Sequence, residues 1–317
     1  MIITILLIIL GLGILIAGAE GLVRGASSLA KRIGISSLVI GLTVVAFGTS
    51  MPELTVNIFA ALRGAPDIAI GNIVGSNIAN ILLILGIAAL IYPLTVKKST
   101  AYKEIPLALL AIVILFVMGN DILFDQNSAN ALTRTDGLTL IGIFGIFLFY
   151  VINMAKKEKV TGQIKTYPWP LAVALTIGGL ILLVIGGKVL VDNAIILAQL
   201  AGMSEALIGL TIMAVGTSLP ELATSVVAVM HHQDDIAVGN IVGSNIFNVL
   251  WILGLTGTIS YLPLSAQANI DLLVCIGVTL LLLIFVLVKP GLKLQRWHGF
   301  TFLLLYICYI VYLIYRG

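Results

Sequence analysis

The chain has 317 residues, of which 60% are hydrophobic and only 10% charged, a balance that excludes a soluble globular domain. Its formal net charge of +3 is spread over connecting segments and marks no nucleic-acid face. The two cysteines, Cys275 and Cys308, fall inside apolar runs and read as packing residues, not as a disulfide.

Apolar runs of about 20 residues recur along the chain, the length a helix needs to cross a bilayer. The fold class expected is an all-α polytopic membrane protein with ten spans, at 1–23, 38–62, 68–92, 104–120, 136–153, 169–191, 206–230, 236–260, 269–288 and 298–315. The first run lacks a basic leader and continues into repeated sequence, so it reads as a spanning helix and not as a signal peptide. Spans 1 and 6 carry glycines at close intervals (Gly11, Gly13, Gly18 and Gly178, Gly179, Gly186, Gly187). These fit close helix contact or the ordinary glycine enrichment of membrane helices. Asp271 lies near the start of span 9 and reads as interfacial. Tyr306, Tyr309, Tyr312 and Tyr315 read as an interfacial belt at the end of span 10.

The lysine-rich connection at 154–168 divides the spans into five and five, giving a first half at 1–153 and a second at 169–317. The connections after spans 1, 3, 5 and 9 hold 13 of the 17 basic residues. The positive-inside rule makes that side cytoplasmic and places both termini outside, in a protein of the cell membrane.

One stretch occurs twice. Residues 41–86 contain GLTVVAFGTSMPEL and GNIVGSNIANILLILG; residues 209–254 contain GLTIMAVGTSLPEL and GNIVGSNIFNVLWILG. At a constant offset of 168 and without gaps, 27 of the 46 positions are identical. Five spans per half is an odd number, so the second copy is expected to enter the membrane inverted. That is the ground plan of secondary transporters, whose substrate sites lie at the midplane between the repeats.

Within the first copy, Pro52 has no N–H to return to the carbonyl of Gly48, so the helix opens there. Carbonyl oxygens near Ala46–Gly48 are then expected to lack helical partners, and such groups cannot face lipid. Pro220 does the same at Gly216. Glu53 follows Thr49 by four residues and Ser50 by three, a spacing that allows hydroxyls and carboxylate to share a helix face. In the next span Ser76 and Asn80 are four apart, with Gly71 and Gly75 placed to let another helix approach. The second copy repeats the set as Thr217, Ser218, Glu221, Ser244 and Asn248. Every candidate ligand is an oxygen, the donor set of hard cations such as calcium.

A charged carboxylate at the bilayer centre costs ~3 kcal/mol on insertion scales. Two brought together repel unless a divalent cation, several monovalent cations or a proton neutralises them. A structural kink with a glutamate–lysine pair is the bland alternative, but only Arg63 lies near either motif. Ser76 and Ser244 could bond back to a helical carbonyl. Asn57 has Ser225 as its counterpart and reads as lining a cavity. Asn72, Asn77, Asn240 and Asn245 read as bracing amides. A channel needs an open path, and an intramembrane enzyme needs a base near its nucleophile. The histidines His231, His232 and His298 all lie near span ends.

GTSxPE followed by GNxxGSNxxN, present twice, resembles the sodium/calcium exchanger branch of the calcium/cation antiporter superfamily in its prokaryotic, minimal form. The resemblance implies electrogenic exchange of sodium for calcium by alternating access, with spans 1 and 6 sliding against the other eight. It also implies calcium held by Glu53 and Glu221, backbone oxygens at Ala46 and Ala214, hydroxyl and carbonyl donors at Thr49, Ser50, Thr217 and Ser218, serines at Ser76 and Ser244, and an amide at Asn80. Its counterpart Asn248 stands where some relatives carry an aspartate, which leaves two carboxylates and argues against potassium cotransport. A proton-coupled calcium exchanger is the second reading. The short linker leaves no room for a calcium-sensing domain. No cofactor, nucleic acid or protein partner is expected beyond the transported Ca2+ and Na+ and the lipid bilayer, and a monomer suffices.

Overall fold

A computed structural model describes residues 2–124, 129–157, 165–200, 214–288 and 291–316. The chain is an all-α membrane protein. Eight helices among the described residues are long and apolar enough to span a bilayer: α1 (Ile2–Ile33), α4 (Pro66–Ile91), α5 (Thr100–Met118), α6 (Arg134–Lys156), α7 (Trp169–Leu200), α9 (Asp234–Ile259), α10 (Ala266–Leu287) and α11 (Arg296–Arg316). The helices α2 (Ser37–Thr49) and α3 (Met51–Leu62) meet at 44° and are together long and apolar enough for one more span. A shorter apolar helix, α8 (Leu219–Met230), lies between α7 and α9 in the chain. Of the span expected at 206–230, residues 206–213 lie outside the described residues, which begin with a short helical turn at Ala214–Gly216.

The sequence places the helix ends. Ser36 caps α2 by accepting from the N–H of Val39 at 3.4 Å, and Ser265 caps α10 by accepting from Ala268 at 3.2 Å. Pro52, Pro66 and Pro220 sit in the first turns of α3, α4 and α8, where no N–H is required. Both α1 and α7 run nine or ten residues beyond the expected spans. In α1 the helix continues through Arg24, Lys31 and Arg32 and stops only where Gly34 adopts a left-handed φ of 80°. The connection between halves is correspondingly shorter at its start, since α6 remains helical to Lys156.

The core is organised around α4 and α9, the helices that carry the repeated GNIVGSN. Of their most apolar stretches 78% and 94% are buried, against 22% in α1 and 28% in α7. Gly239 and Gly243 of α9 admit α2 closely: a Cβ at Gly243 would lie 3.0 Å from the Cα of Leu42 and 2.8 Å from the Cβ of Ala46. At Gly71 and Gly75 no described atom lies within 4 Å of that position.

On the periphery α1 and α7 pack antiparallel along their lengths. Gly11 faces Gly186 and Leu190, Gly18 faces Gly179 and Leu183, and Gly25 faces Ala172 and Thr176. Glycine permits that approach because any side chain at these crossings would meet backbone. Two short antiparallel pairings tie the loops, Leu94–Thr95 with Lys293–Leu294 and Ala131–Leu132 with Leu262–Pro263. Cys275 is buried and Cys308 exposed, and both are free thiols.

Tyr309 departs from the sequence reading. Tyr309 does not join an exposed belt; it is buried and donates to Asp271 Oδ1 at 3.1 Å. Arg316 reaches the same carboxylate with both Nη atoms, at 2.9 and 3.0 Å. This fork fastens the end of α11 to α10, a geometry that favours arginine over lysine. Asp271→Ala is expected to lower stability by about 2 kcal/mol, read as a lower unfolding midpoint in detergent. Lys98→Ala, an exposed charge, serves as the reference and is expected to leave the midpoint unchanged.

Candidate functional site

The two breaks create the site. Ser50 (φ −83°, ψ 8°) separates α2 from α3, and Ser218 (φ −87°, ψ 5°) precedes α8, so the two copies break at equivalent residues. Each break starts a new helix with a glutamate in its first turn, Glu53 in α3 and Glu221 in α8. The free N–H groups and dipole of a helix N-terminus favour negative charge there. Both side chains are 1% exposed.

The carboxylates are held by hydroxyls from both copies. Glu53 Oε1 accepts from Ser76 at 3.3 Å and from Ser218 at 3.2 Å. Glu221 Oε1 accepts from Ser244 at 3.4 Å and from Ser50 at 3.0 Å. Ser50 and Ser218 therefore do not serve the carboxylate three residues downstream, as their spacing suggested. Each ends a helical segment, and its hydroxyl crosses to the other copy's glutamate. Thr49 donates to Asn240 Oδ1 at 3.0 Å and Thr217 to Asn72 Oδ1 at 3.3 Å, while the hydroxyls of Ser76 and Thr217 are 3.5 Å apart.

The asparagines form a second paired layer. Asn77 and Asn245 each donate to the other's backbone carbonyl, at 3.3 and 3.4 Å. Asn80 donates to Asn245 Oδ1 at 2.9 Å and Asn248 to Asn77 Oδ1 at 3.0 Å, which fixes which way both amides point. Asn72 donates to Asn57 Oδ1 at 2.7 Å, Asn57 donates to the Ala69 carbonyl at 3.1 Å, and Asn240 donates to Ser225 at 3.2 Å. Asn57, expected only to line a cavity, thus braces α3 on α4, and its counterpart Ser225 braces α8 on α9.

At this site four buried oxygens have no hydrogen-bond donor among the described residues: Glu53 Oε2, Glu221 Oε2, Asn80 Oδ1 and Asn248 Oδ1. Buried acceptors without donors are rare and costly. These four form two pairs related by the 168-residue offset, and neither glutamate has a lysine, arginine or histidine partner among the described residues. Two carboxylate and two amide oxygens freed from other duties are a hard-cation donor set.

The backbone oxygens depart from expectation at Ala46. Its carbonyl is not free of helical partners; it accepts from the N–H of Ser50 at 3.0 Å and from Thr49 Oγ1 at 3.4 Å. The break falls one turn later than Pro52 alone suggested, so α2 keeps its hydrogen bonds through Ser50. Ala214 opens the turn at Ala214–Gly216, and its side chain lies outside the described residues.

The family model for sodium/calcium exchanger proteins matches residues 3–153 and 171–315. The chain is 33% identical over 353 residues to the sodium/calcium exchanger MaX1 of Methanosarcina acetivorans, covering 98% of each chain. It is 40% identical over 291 residues to the inner membrane protein YrbG of Escherichia coli, covering 87% of each. Among solved structures it is similar to the sodium-calcium exchanger NCX_Mj soaked with 2.5 mM Na+ and 10 mM Sr2+, with a TM-score of 0.84, 34% identity and 98% of each chain covered. By sequence and by fold alike, the chain belongs to the sodium/calcium exchanger family.

Proposed function

We propose that this chain is a secondary antiporter that exchanges sodium for calcium across the cell membrane, with both ions competing for one site between Glu53 and Glu221. The observation that carries the reading is the set of four buried, donor-free oxygens. One divalent cation, or several monovalent ones, satisfies the same pair of carboxylates, and that equivalence is the physical basis of exchange. In this reading Glu53 and Glu221 neutralise the ion, and Asn80 and Asn248 present amide oxygens. Ser50, Ser76, Ser218 and Ser244 orient the carboxylates, as Thr49 and Thr217 orient the bracing asparagines. The carbonyl of Ala46 joins only after the turn that engages it rearranges, and that of Ala214 is its counterpart in the second copy.

The antiparallel contact of α1 with α7, which the offset relates to each other, supports an inverted arrangement of the halves at 1–153 and 169–317. Their glycine-lined seam supports sliding of that pair against the bundle as the alternating-access movement. The basic connections are assigned to the cytoplasmic side and the termini to the outside, and one chain suffices for transport.

The test is calcium uptake into proteoliposomes with an outward sodium gradient as the sole driving force, repeated with a proton and with a potassium gradient. Uptake is expected to require internal sodium and to ignore the other two gradients. Uptake driven by protons and not by sodium would keep the site and replace the coupling ion, because a proton also satisfies a carboxylate oxygen.

A further inference from the structure

A polar cavity of about 250 Å3 lies at the basic end of the bundle. Its lining combines Val23, Arg24 and Ser27 of α1, Lys165 and Tyr167 from the connection before α7, and His231 and Gln233 from the turn after α8. The connection is seated firmly there. Tyr167 N–H donates to Ser28 Oγ at 2.8 Å, and Arg32 Nε donates to the Tyr167 carbonyl. Lys165 in turn lies over the Tyr167 ring, 5.6 Å from its centre.

The charges there do not cancel. Glu20 pairs with Arg24 and, at 2.8 Å, with His231. One carboxylate is thus set against Arg24, Lys165 and a histidine, so the wall keeps a positive surplus. The cavity also holds an orphan donor, the Ser27 hydroxyl, on a residue 4% exposed and with no hydrogen-bond partner among the described residues. A buried hydroxyl in that position calls for an acceptor.

We propose that this cavity binds a phosphate group. The arginine fork, the ammonium, the serine hydroxyl and the Gln233 amide approach from three separate elements, which suits a group presenting several oxygens in different directions. A planar carboxylate is already supplied by Glu20. At roughly 30 Å3 per water the space holds about eight waters, enough for a phosphate and its ester linkage. The cavity sits where α1 passes from its apolar run to Glu20 and Arg24, beside the exposed Trp169 that opens α7, which is the level of lipid headgroups. The phosphate can therefore belong to an anionic lipid or be free in solution. Bound there, it ties α1 to the turn after α8 through the connection between them. The assignment does not depend on which cations are transported.

Two measurements on the purified full-length protein test it. Native mass spectrometry from nanodiscs of mixed phosphatidic acid and phosphatidylcholine is expected to show preferential retention of phosphatidic acid. Lys165→Gln is expected to reduce that retention about fivefold, and Lys98→Gln, which removes the same charge elsewhere on the basic side, is expected to leave it intact. Thermal unfolding in detergent with inorganic phosphate, against chloride at matched ionic strength, tests the soluble source. A rise in midpoint of a few degrees that Lys165→Gln abolishes supports free phosphate. Lipid retention without that rise supports the headgroup. Neither effect, or equal losses in both variants, overturns the proposal.

Discussion

Glu221→Gln is expected to abolish sodium-driven calcium uptake, lowering the initial rate by about 100-fold or more. The amide keeps the size of the side chain and an oxygen to accept from Ser50 and Ser244, so the helix break and its hydrogen bonds survive. What is lost is one of two negative charges facing the cation. Removing one member of a buried charge pair costs about 3–5 kcal/mol, and each 1.4 kcal/mol is about tenfold in affinity. Glu53→Gln is expected to fail equally, because Ser76 and Ser218 hold it in the same way. The measurement is isotopic calcium uptake in proteoliposomes, with elution as a single sharp peak on size exclusion as the check on folding. A well-folded variant that retains full exchange would place the cation elsewhere.

The second large effect is expected at the α1–α7 seam. A Cβ added at Gly179 would lie 2.5 Å from the backbone N of Leu22 and 2.7 Å from the carbonyl of Gly18. At Gly186 it would lie 2.6 Å from the N of Leu15 and 2.9 Å from the carbonyl of Gly11. These obstacles are backbone, so relief requires the helices to part. Gly179→Ala is expected to cost about 1–3 kcal/mol and Gly179→Leu to prevent the pair from closing, with transport lost in both. Gly178 and Gly13 have no atom within 4 Å of that position. Gly178→Ala is therefore expected to stay within about 0.5 kcal/mol of the parent. Thermal unfolding and uptake rates on the four proteins decide it. Equal behaviour of Gly179→Ala and Gly178→Ala would show that the seam is not closed as described.

The contrast between neighbouring glycines marks one boundary of what sequence reveals. Spacing alone left close contact and ordinary enrichment equally open across Gly11, Gly13, Gly18, Gly178, Gly179, Gly186 and Gly187. The rotation of each helix about its axis, which only packing sets, separates Gly11, Gly18, Gly179 and Gly186, which face backbone across the seam, from Gly13 and Gly178, which face nothing within 4 Å, and from Gly187, whose neighbours are side chains. The apolar runs, the duplication and the oxygen-only donor set were legible because each is a local property of composition or period. The crossing of Ser50 to Glu221 was not. Helical periodicity assigns a side chain to a face of its own helix, but Ser50 sits at a break and points away from it. Asn77 and Asn245 were recognisable as bracing amides from their duplication, yet their partners 168 residues away lie beyond any sequence window. Ala46 shows the opposite error: a proline was expected to free more carbonyls than it does, because α2 keeps its hydrogen bonds until Ser50. Tyr309 was assigned to the bilayer surface by its place near a helix end, and the carboxylate of Asp271 draws it inward.

Each glutamate is gripped by one serine from its own copy of the repeat and one from the other. Neither stretch of chain can hold its carboxylate in place without the second, so the pocket exists only as a joint product of both. Anything that both carboxylates grasp must then act as mortar between the two stretches. At a free concentration about 100 times its dissociation constant, such an ion adds about 2.7 kcal/mol to their cohesion. A chain severed between Lys156 and Trp169 and mixed from its two pieces should accordingly reassemble more tightly as that ion is supplied.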